Sequence, residues 1–277
     1  MRECGGVDGD DHLILRGRGI SRGTASGSTV ALNAPFSFLG GVSPSTGLLS
    51  GSDDISIAGK VFAFPVGKGS TVGSYTMLEM KRLGTLPIAI VNSRAEPIVT
   101  TGAVMCNIPL VDSVDVSLLR SGDRAIVDGT SGTVEVEGVE KKRVVTCILM
   151  KGDKFLILKR SGKVGTFKGK WAGVSGYVEA GEEPIQTALK EMSEEVGVDD
   201  AGLLRQADSI VVRSGEIVWE IHPFLFKVKN EEIAIDWEHT ELRWITQDEH
   251  VTFDTVPGFD KVIRMLLSGM SQSRSDR

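Results

Sequence analysis

Residues 176–198, GYVEAGEEPIQTALKEMSEEVGV, combine a glycine-rich loop with a segment that must form a two-faced helix. Pro184 suits the first turn of a helix and Gly197 suits the position just past its end, which predicts a helix over 184–196. At about 100° per residue, the apolar side chains gather on one stripe. These are Ile185, Leu189, Met192 and Val196, and the carboxylates on another stripe are Glu191, Glu194 and Glu195. The helix therefore has a packing side and an acidic side.

The acidic side of this helix predicts a cation site. Carboxylates within one turn repel each other, and a hard divalent cation bound among them reverses the sign of that interaction. Gly181 permits a tight loop that can bring Glu182 toward the same ion. The predicted ligands are Glu182, Glu191, Glu194 and Glu195.

This stretch resembles the Nudix box. The matching positions are Gly176, Glu182, Lys190, Glu191, Met192, Glu194, Glu195, Gly197 and Val198. The resemblance implies a C-terminal α/β/α sandwich with a mixed sheet. It also implies magnesium or manganese bound by the glutamates, and hydrolysis of a nucleoside diphosphate linked to another group.

Lys190 departs from the pattern, because the family has arginine there. Lysine keeps the charge and loses the planar fork that orients a carboxylate, so we expect weaker orientation and retained activity. One alternative stays open, in which the domain binds a nucleotide or diphosphate without cleaving it and regulates the other half of the chain.

Other side chains near the box are candidates for the same site. The family often adds an acidic residue from a later loop as base or ligand, and Glu238 is the first candidate, with Glu241 second. Four cations before the box could meet phosphates or be solvated, namely Lys159, Arg160, Lys168 and Lys170. Three tryptophans could stack on a base or pack in the core, namely Trp219, Trp237 and Trp244.

The composition changes between the two halves of the chain. Residues 1–140 hold 21 of the 33 glycines and no tryptophan, whereas all four tryptophans follow. With 277 residues, the chain is long enough for two cores. We place the boundary at 138–143, GVEKKR, and predict domains over 13–139 and 142–269, with flexible tails at 1–12 and 270–277.

Strand-like and helix-like segments alternate over residues 61–111. VFAFP, PIAIV and IPLV are typical of buried strands, and helices are predicted over 71–83, which Gly84 ends, and over 97–106. Strand, helix and strand in succession predict parallel pairing with right-handed crossovers. A ligand would then bind at the loops that follow the strands.

The loop after the first of these strands, GKGSTVGS at 67–74, suits an anion. Its glycines let backbone N–H groups approach, the next helix begins there with its positive end, and Lys68 adds charge. Ser70 lies in the middle of that field, where it is either a helix cap or a catalytic hydroxyl.

Four segments together resemble the swivel-domain family of the aconitase superfamily, in particular the small subunits of archaeal-type phosphomevalonate dehydratases. They are GRGISRGTASGSTVAL, PFSFLGGVSPSTG, VFAFPVGKGSTVGSYTMLEM and AEPIVTTGAVMCNIPLVD. The resemblance implies an N-terminal swivelling β/β/α domain with parallel strands, in which Ser70 accepts a proton during the dehydration of 5-phosphomevalonate to an anhydromevalonate phosphate in isoprenoid synthesis. It also implies that Lys68, Gly69 and Thr71 bind substrate, and that a separate large subunit carries the iron–sulfur cluster.

The cysteines Cys4, Cys106 and Cys147 show no paired spacing, so we predict neither a disulfide framework nor a metal cluster on this chain. They favour a reducing, cytoplasmic setting. No apolar run of about 18 residues, leader or basic stripe stands out, so we expect small-molecule substrates and neither membrane nor nucleic-acid binding.

Overall fold

A computed structural model of the chain describes residues 12–229 and 233–268. The described residues form two compact units that follow one another in sequence, 12–140 and 141–268, the second without 230–232. The predicted tails at 1–12 and 270–277 lie outside the described residues, except for His12, which begins the first strand. A long strand begins at Glu140, inside the predicted boundary 138–143. Only Gly138 and Val139 lie between it and the preceding strand, which ends at Glu137.

The N-terminal unit contains one eight-stranded sheet and helices on it. The strands are β1 (His12–Arg16), β2 (Arg18–Ser21), β3 (Thr24–Ala31), β4 (Val61–Val66), β5 (Ala89–Arg94), β6 (Leu110–Asp112), β7 (Arg124–Asp128) and β8 (Thr133–Glu137). A short segment α1 (Phe38–Gly41) precedes the helices α2 (Val72–Leu83) and α3 (Pro97–Cys106). The strand order is β1-β8-β7-β3-β4-β5-β6-β2, in which β3, β4, β5 and β6 pair in parallel. The predicted helices and parallel pairing are confirmed.

Alternate residues of β4 and β5 pack beneath α2 and α3. Phe62, Phe64 and Ile90 share a buried cluster with Met77 of α2 and Val99 of α3. Residues two apart in a strand face the same side of the sheet, so the helices cover this face. The loops after β4 and β5 leave at the same edge, because Val66 pairs with Arg94. Ser70 therefore lies where α2 begins, at the carboxyl end of the parallel strands.

The C-terminal unit is a seven-stranded sheet between two helices. Its strands are β9 (Glu140–Lys151), β10 (Lys154–Arg160), β11 (Trp171–Ala172), β12 (Ala201–Gln206), β13 (Ile210–Ser214), β14 (Ile217–Val228) and β15 (His239–Ile245), and its helices are α4 (Pro184–Val196) and α5 (Phe259–Leu267). The strands follow the order β11-β10-β9-β14-β12, with β13 paired to β14 and β15 to β10.

Opposite faces of this sheet pack on different helices. Cys147 of β9 belongs to the cluster that contains Met192 of α4, whereas the next residue, Ile148, belongs to the cluster that contains Phe259 of α5. Alternation along β9 thus builds one core on each side. The predicted fold class, two α/β units with parallel and antiparallel strands, is confirmed.

Helix α4 begins at Pro184 and ends before Gly197, which adopts a left-handed conformation, as predicted. The predicted apolar stripe is wrong in one position, because Leu189 is 47% exposed and Ala188 is buried in its place. This small rotation also carries Glu195 toward the interior, where only 4% of it is exposed. One carboxylate of the acidic side is consequently inside the protein.

Among the helices that the structure describes, none is long and apolar enough to cross a membrane.

Candidate functional site

A cavity of about 170 Å³ opens within the C-terminal unit beside α4. Three carboxylates line it, those of Glu191, Glu195 and Glu238. Its remaining walls are formed by Val144, Thr146, Arg160, Thr166, Phe167, Ala172, Ser175, Gly176, Tyr177, Trp219, Ile221, Val256 and Pro257. The acidic residues of α4 and the later acidic loop therefore meet in one cavity with aromatic side chains.

Glu195 is the most buried of these carboxylates. The backbone N–H of Ser175 donates to its Oε2 across 3.4 Å. Burial, and then the charge of Glu191, raise the pKa of Glu195 well above its usual range. A carboxylate in such surroundings gains strongly when a positive charge is placed beside it.

Glu191 packs against the glycine that opens the box. A Cβ added to Gly176 would lie 2.1 Å from the Cδ atom of Glu191, so any other residue there would displace the carboxylate. Burial and then the charge of Glu194 raise the pKa of Glu191 to about 7, and Glu238 and Glu182 act in the same direction. Glu195 and Glu238 thus line the cavity together with Glu191. Glu182 and Glu194 do not line it, but their charges raise the pKa of Glu191.

Glu194 is exposed, and Glu182 lies in the loop before α4, where its Oε2 accepts from the backbone N–H of Glu179 at 3.3 Å. Neither lines the cavity. Within 12–229 and 233–268, no group of three or more carboxylate, imidazole or thiol side chains is arranged closely enough to hold a metal ion. The donor chemistry nevertheless fits magnesium or manganese, because all donors are carboxylate oxygens whose mutual repulsion a hard cation would relieve.

The structure separates the two candidates for the later acid. Glu238 lines the cavity, whereas Oε1 of Glu241 lies 2.6 Å from Nζ of Lys159. Hydrogen bonding with Lys159 lowers the pKa of Glu241 below its usual range. Glu241 is therefore a partner of a surface lysine, and Glu238 is the acid that joins Glu191 and Glu195.

Asp236 holds the loop that carries Glu238, a role that the sequence analysis missed. Its Oδ1 accepts from the backbone N–H of Glu238 at 3.1 Å and lies 3.0 Å from Nδ1 of His239. Its own N–H donates to the carbonyl oxygen of Glu195 at 3.3 Å. The spacing D-x-E-H, in which an aspartate accepts from the N–H two residues later, is the sequence signal that could have found it.

His239 is buried beside this loop, with Nε2 4.0 Å from Oε2 of Glu195. Burial lowers its pKa, so the neutral ring is favoured. The loop 236–239 is thereby fixed to the end of α4 by both backbone and side-chain contacts.

Aromatic rings form another wall of the cavity. Trp219 is 7% exposed, and its ring centroid lies 5.4 Å from that of Phe167 and 6.2 Å from that of Tyr177. Trp244 packs against the core beneath α4, and Trp237 is 62% exposed. Of the three tryptophans considered above, Trp219 is the one that lines the cavity.

Of the four predicted phosphate-binding cations, Arg160 alone lines the cavity. Its Nε donates to the carbonyl oxygen of Thr166 at 3.1 Å. Lys159 pairs with Glu241, Lys170 pairs with Asp254, and Lys168 is exposed.

In the N-terminal unit, Ser70 is exposed at the start of α2, and its Oγ accepts from the backbone N–H of Val72 at 3.4 Å. Gly69 has φ +107°, and a Cβ there would lie 2.7 Å from Oγ of Ser37, so the loop requires glycine at this position. Thr71 precedes α2 and makes no side-chain cap bond. The exposed Lys68 completes the group of predicted residues.

Arg94 is a further cation at this edge that the sequence analysis missed. It is the last residue of β5, it is exposed, and it pairs in register with Val66, after which the Ser70 loop begins. The nearby Glu96 caps α3 by accepting from the N–H groups of Ile98 and Val99. Lys68 and Arg94 therefore lie at the carboxyl ends of two neighbouring strands.

Two family models match the chain. One, described as the aconitase X swivel domain, matches residues 14–136, and one described as the NUDIX domain matches residues 140–266.

The N-terminal match has similar relatives that it covers over almost their full length. A phosphomevalonate dehydratase small subunit from Thermococcus onnurineus (strain NA1) is 52% identical over 129 residues, which are 45% of this chain and 99% of the relative. The crystal structure of aconitase X from Thermococcus kodakaraensis, in its holo-form, is 48% identical with a TM-score of 0.43, and covers 45% of this chain and 98% of that one.

The crystal structure of the MutT protein from Methanosarcina mazei Go1 is also similar. It is 22% identical with a TM-score of 0.40, covering 46% of this chain and 94% of that one.

Proposed function

The chain belongs, through residues 14–136, to the family of phosphomevalonate dehydratase small subunits, and we propose that it joins such a subunit to a metal-dependent Nudix diphosphatase. The N-terminal reaction is the dehydration of 5-phosphomevalonate to an anhydromevalonate phosphate. The observation that supports it is the position of Ser70, exposed at the start of α2 on a unit that spans a whole small subunit of the family.

In this proposal Ser70 removes a proton from a substrate carbon. The backbone N–H of Val72, which already donates to Oγ, and the positive end of α2 stabilise the negative charge that makes the hydroxyl a base. Lys68, Gly69 and Thr71 bind the substrate, and the positive field of Lys68 and Arg94 suits its phosphate.

A separate large subunit supplies the rest of the dehydratase site. The cysteines among the described residues, Cys106 and Cys147, are both buried, one in each unit. An iron–sulfur cluster on the large subunit would supply a Lewis acid for the departing hydroxyl. Co-expression of the full chain with a large subunit tests this assignment: a stable complex with dehydratase activity supports it, and failure of the chain to associate contradicts it.

The C-terminal unit is proposed to hydrolyse nucleoside diphosphate derivatives. The observation that carries this is the meeting of Glu191, Glu195 and Glu238 in one cavity. Magnesium or manganese would be held by Glu191, Glu194 and Glu195 with Glu182, and would supply charge neutralisation and a more acidic water. Glu238, which lines the same cavity, would serve as the base that accepts a proton from the attacking water.

Incubation of the full chain with magnesium and a panel of nucleoside diphosphate derivatives tests the hydrolase. Magnesium-dependent release of a nucleoside monophosphate from at least one compound supports the proposal. Absence of turnover for the whole panel, with or without manganese, contradicts it.

Gly176→Ala is expected to lower this hydrolysis about tenfold with little change in Tm. The three atoms nearest to the new methyl group all belong to the side chain of Glu191, which can move aside, so we expect the damage to fall on the carboxylate and not on the fold. Gly162→Ala is the matched control, because nothing lies within 4 Å of a Cβ built there. Steady-state rates and thermal unfolding of both variants measure the effect. Equal rates for the two variants would contradict this role for Gly176.

A second candidate function is a nucleotide-binding or diphosphate-binding regulator of the dehydratase that does not cleave its ligand. The observation that favours it is that, among the described residues, no three carboxylate, imidazole or thiol side chains lie close enough together to hold a metal ion. Binding of a nucleotide without product formation, together with a change in dehydratase rate, would select this function over hydrolysis.

A further inference from the structure

We propose that Glu96 is a positioning residue of the dehydratase, whose carboxylate holds Gly67 and thereby fixes where the Ser70 hydroxyl lies. Gly67 is the first residue of the Ser70 loop, which comprises residues 67–71 between β4 and α2. The proposal rests on the dehydratase function above and deepens it, because it names a side chain outside the loop on which the proposed base depends.

The first observation is a close contact between Glu96 and the start of the loop. A Cβ added to Gly67 would lie 2.2 Å from Oε1 of Glu96 and 2.7 Å from Cγ2 of Val99. Both distances are far shorter than a van der Waals contact, so only a glycine lets the carboxylate lie against the backbone at this place. The loop therefore begins on the surface of the Glu96 side chain.

The loop is supported from the other side by the segment that follows β3. The N–H of Lys68 donates to the carbonyl oxygen of Phe36 at 2.8 Å, and a Cβ on Gly69 would lie 2.7 Å from Oγ of Ser37. Strands β3 and β5 flank β4 in the sheet, and Glu96 follows β5. The start of the loop is thus confined between the two neighbouring strand ends.

The turn that Glu96 begins also supports the residues after Ser70. Oγ of Ser74, in the first turn of α2, donates to the carbonyl oxygen of Ile98 at 2.9 Å, and a Cβ on Gly73 would lie 3.1 Å from Cγ2 of Ile98. The N–H of Ile98 in turn donates to Oε2 of Glu96 at 2.8 Å. Contacts with one turn therefore bracket Ser70 on both sides in sequence, so a displacement of that turn moves both ends of the loop.

Capping of α3 does not by itself require a glutamate. The side chains that N-caps favour are the shorter serine, threonine, aspartate and asparagine. Glu96 accepts from the N–H groups of Ile98 and Val99 with its two oxygens, and its greater length places Oε1 against Gly67 as well. The contact with Gly67 needs this length, whereas the cap needs only an acceptor.

Two replacements of Glu96 separate positioning from capping. Glu96→Ser keeps a good N-cap and loses the reach to Gly67, whereas Glu96→Gln keeps the reach and is the poorer cap. The full chain carrying each change is co-expressed with the large subunit. Association, Tm, and the kcat and KM for 5-phosphomevalonate are then measured.

We expect turnover and stability to rank these two variants in opposite orders. Glu96→Ser should lower kcat about tenfold or more and leave KM and association within about twofold of wild type, because a misplaced catalytic group slows the chemical step more than it weakens binding. Glu96→Gln should keep kcat within about threefold of wild type, although its Tm is the lower of the two.

Gly67→Ala disturbs the same contact from the loop side. Its methyl group must displace Glu96 or Val99, so kcat is expected to fall about tenfold. If Glu96 acts through Gly67, a double variant that combines Gly67→Ala with Glu96→Ser loses no more than the worse single variant, because two changes at one contact are not additive. Glu79→Ser, at an exposed glutamate of α2, is the matched control and should keep full turnover.

Turnover that follows Tm, with Glu96→Ser at least as active as Glu96→Gln, would overturn the positioning role and leave Glu96 as a cap alone. Losses that multiply in the double variant would overturn the route through Gly67. If Glu96→Ser does not fold, equal turnover of Gly67→Ala and Glu79→Ser overturns the proposal. A wild-type complex without dehydratase activity contradicts the dehydratase function itself, whereas an active wild type with an unaffected Glu96→Ser contradicts the positioning role alone.

Discussion

Ser70→Ala is expected to lower the dehydratase turnover of the complex between the full chain and its large subunit by about 10²-fold or more. The variant removes the hydroxyl that is proposed to take the proton, together with its 3.4 Å bond from the N–H of Val72, while the N–H of Gly73 keeps its bond to the carbonyl oxygen of Ser70. The fold of the unit should therefore be unaffected, because Ser70 is exposed.

Ser131→Ala is the control for this prediction, since Ser131 is an exposed serine in the turn between β7 and β8 of the same unit. Its complex should keep full turnover. Association with the large subunit is measured for both variants, so that a lost reaction is not mistaken for a lost complex. Retention of wild-type turnover by Ser70→Ala would remove Ser70 from the mechanism.

Glu195→Gln is expected to lower metal-dependent diphosphate hydrolysis by about 10²-fold or more, because the buried carboxylate is a proposed metal ligand at the centre of the site. Glutamine has the same shape, and it removes a charge whose burial is unfavourable, so the free energy of unfolding of the metal-free chain should not fall. Steady-state rates and thermal unfolding together separate the loss of chemistry from a loss of structure.

Glu241→Gln is the matched control for Glu195→Gln. Glu241 follows Glu238 in the same segment, but it pairs with Lys159 and does not line the cavity. Its replacement should leave hydrolysis within about twofold of wild type, because an exposed ion pair contributes little. A result in which Glu241→Gln abolishes hydrolysis and Glu195→Gln does not would reverse the assignment of the two glutamates.

Much of the fold could be predicted because local signals coincide with element ends. Pro184 and Gly197 limit α4, Gly84 ends α2, and Pro97 begins α3, each for a backbone reason that acts within one turn. These signals do not determine which face of a helix is buried. Leu189 is exposed and Glu195 is inside because the rotation of α4 is decided by the fit of Ala188 and Met192 against the sheet.

The site was predictable only where its parts are close in sequence. Glu191 and Glu195 come from one helix, whereas Glu238 reaches them through the pairing of β15 with β10, a contact between distant segments. The choice between Glu238 and Glu241 depends on that pairing and on Asp236, which fixes the loop. The choice of Trp219 among three tryptophans likewise depends on the position of β14 beside the cavity.

The central claim for the C-terminal unit is that its crowded carboxylates bind a divalent cation. Calorimetric titration of the full chain with manganese tests it most directly, with Glu195→Gln and Glu241→Gln measured in parallel. The account predicts saturable uptake by the wild type and by Glu241→Gln, and loss of that uptake in Glu195→Gln. No uptake by the wild type, or equal uptake by all three proteins, would contradict it.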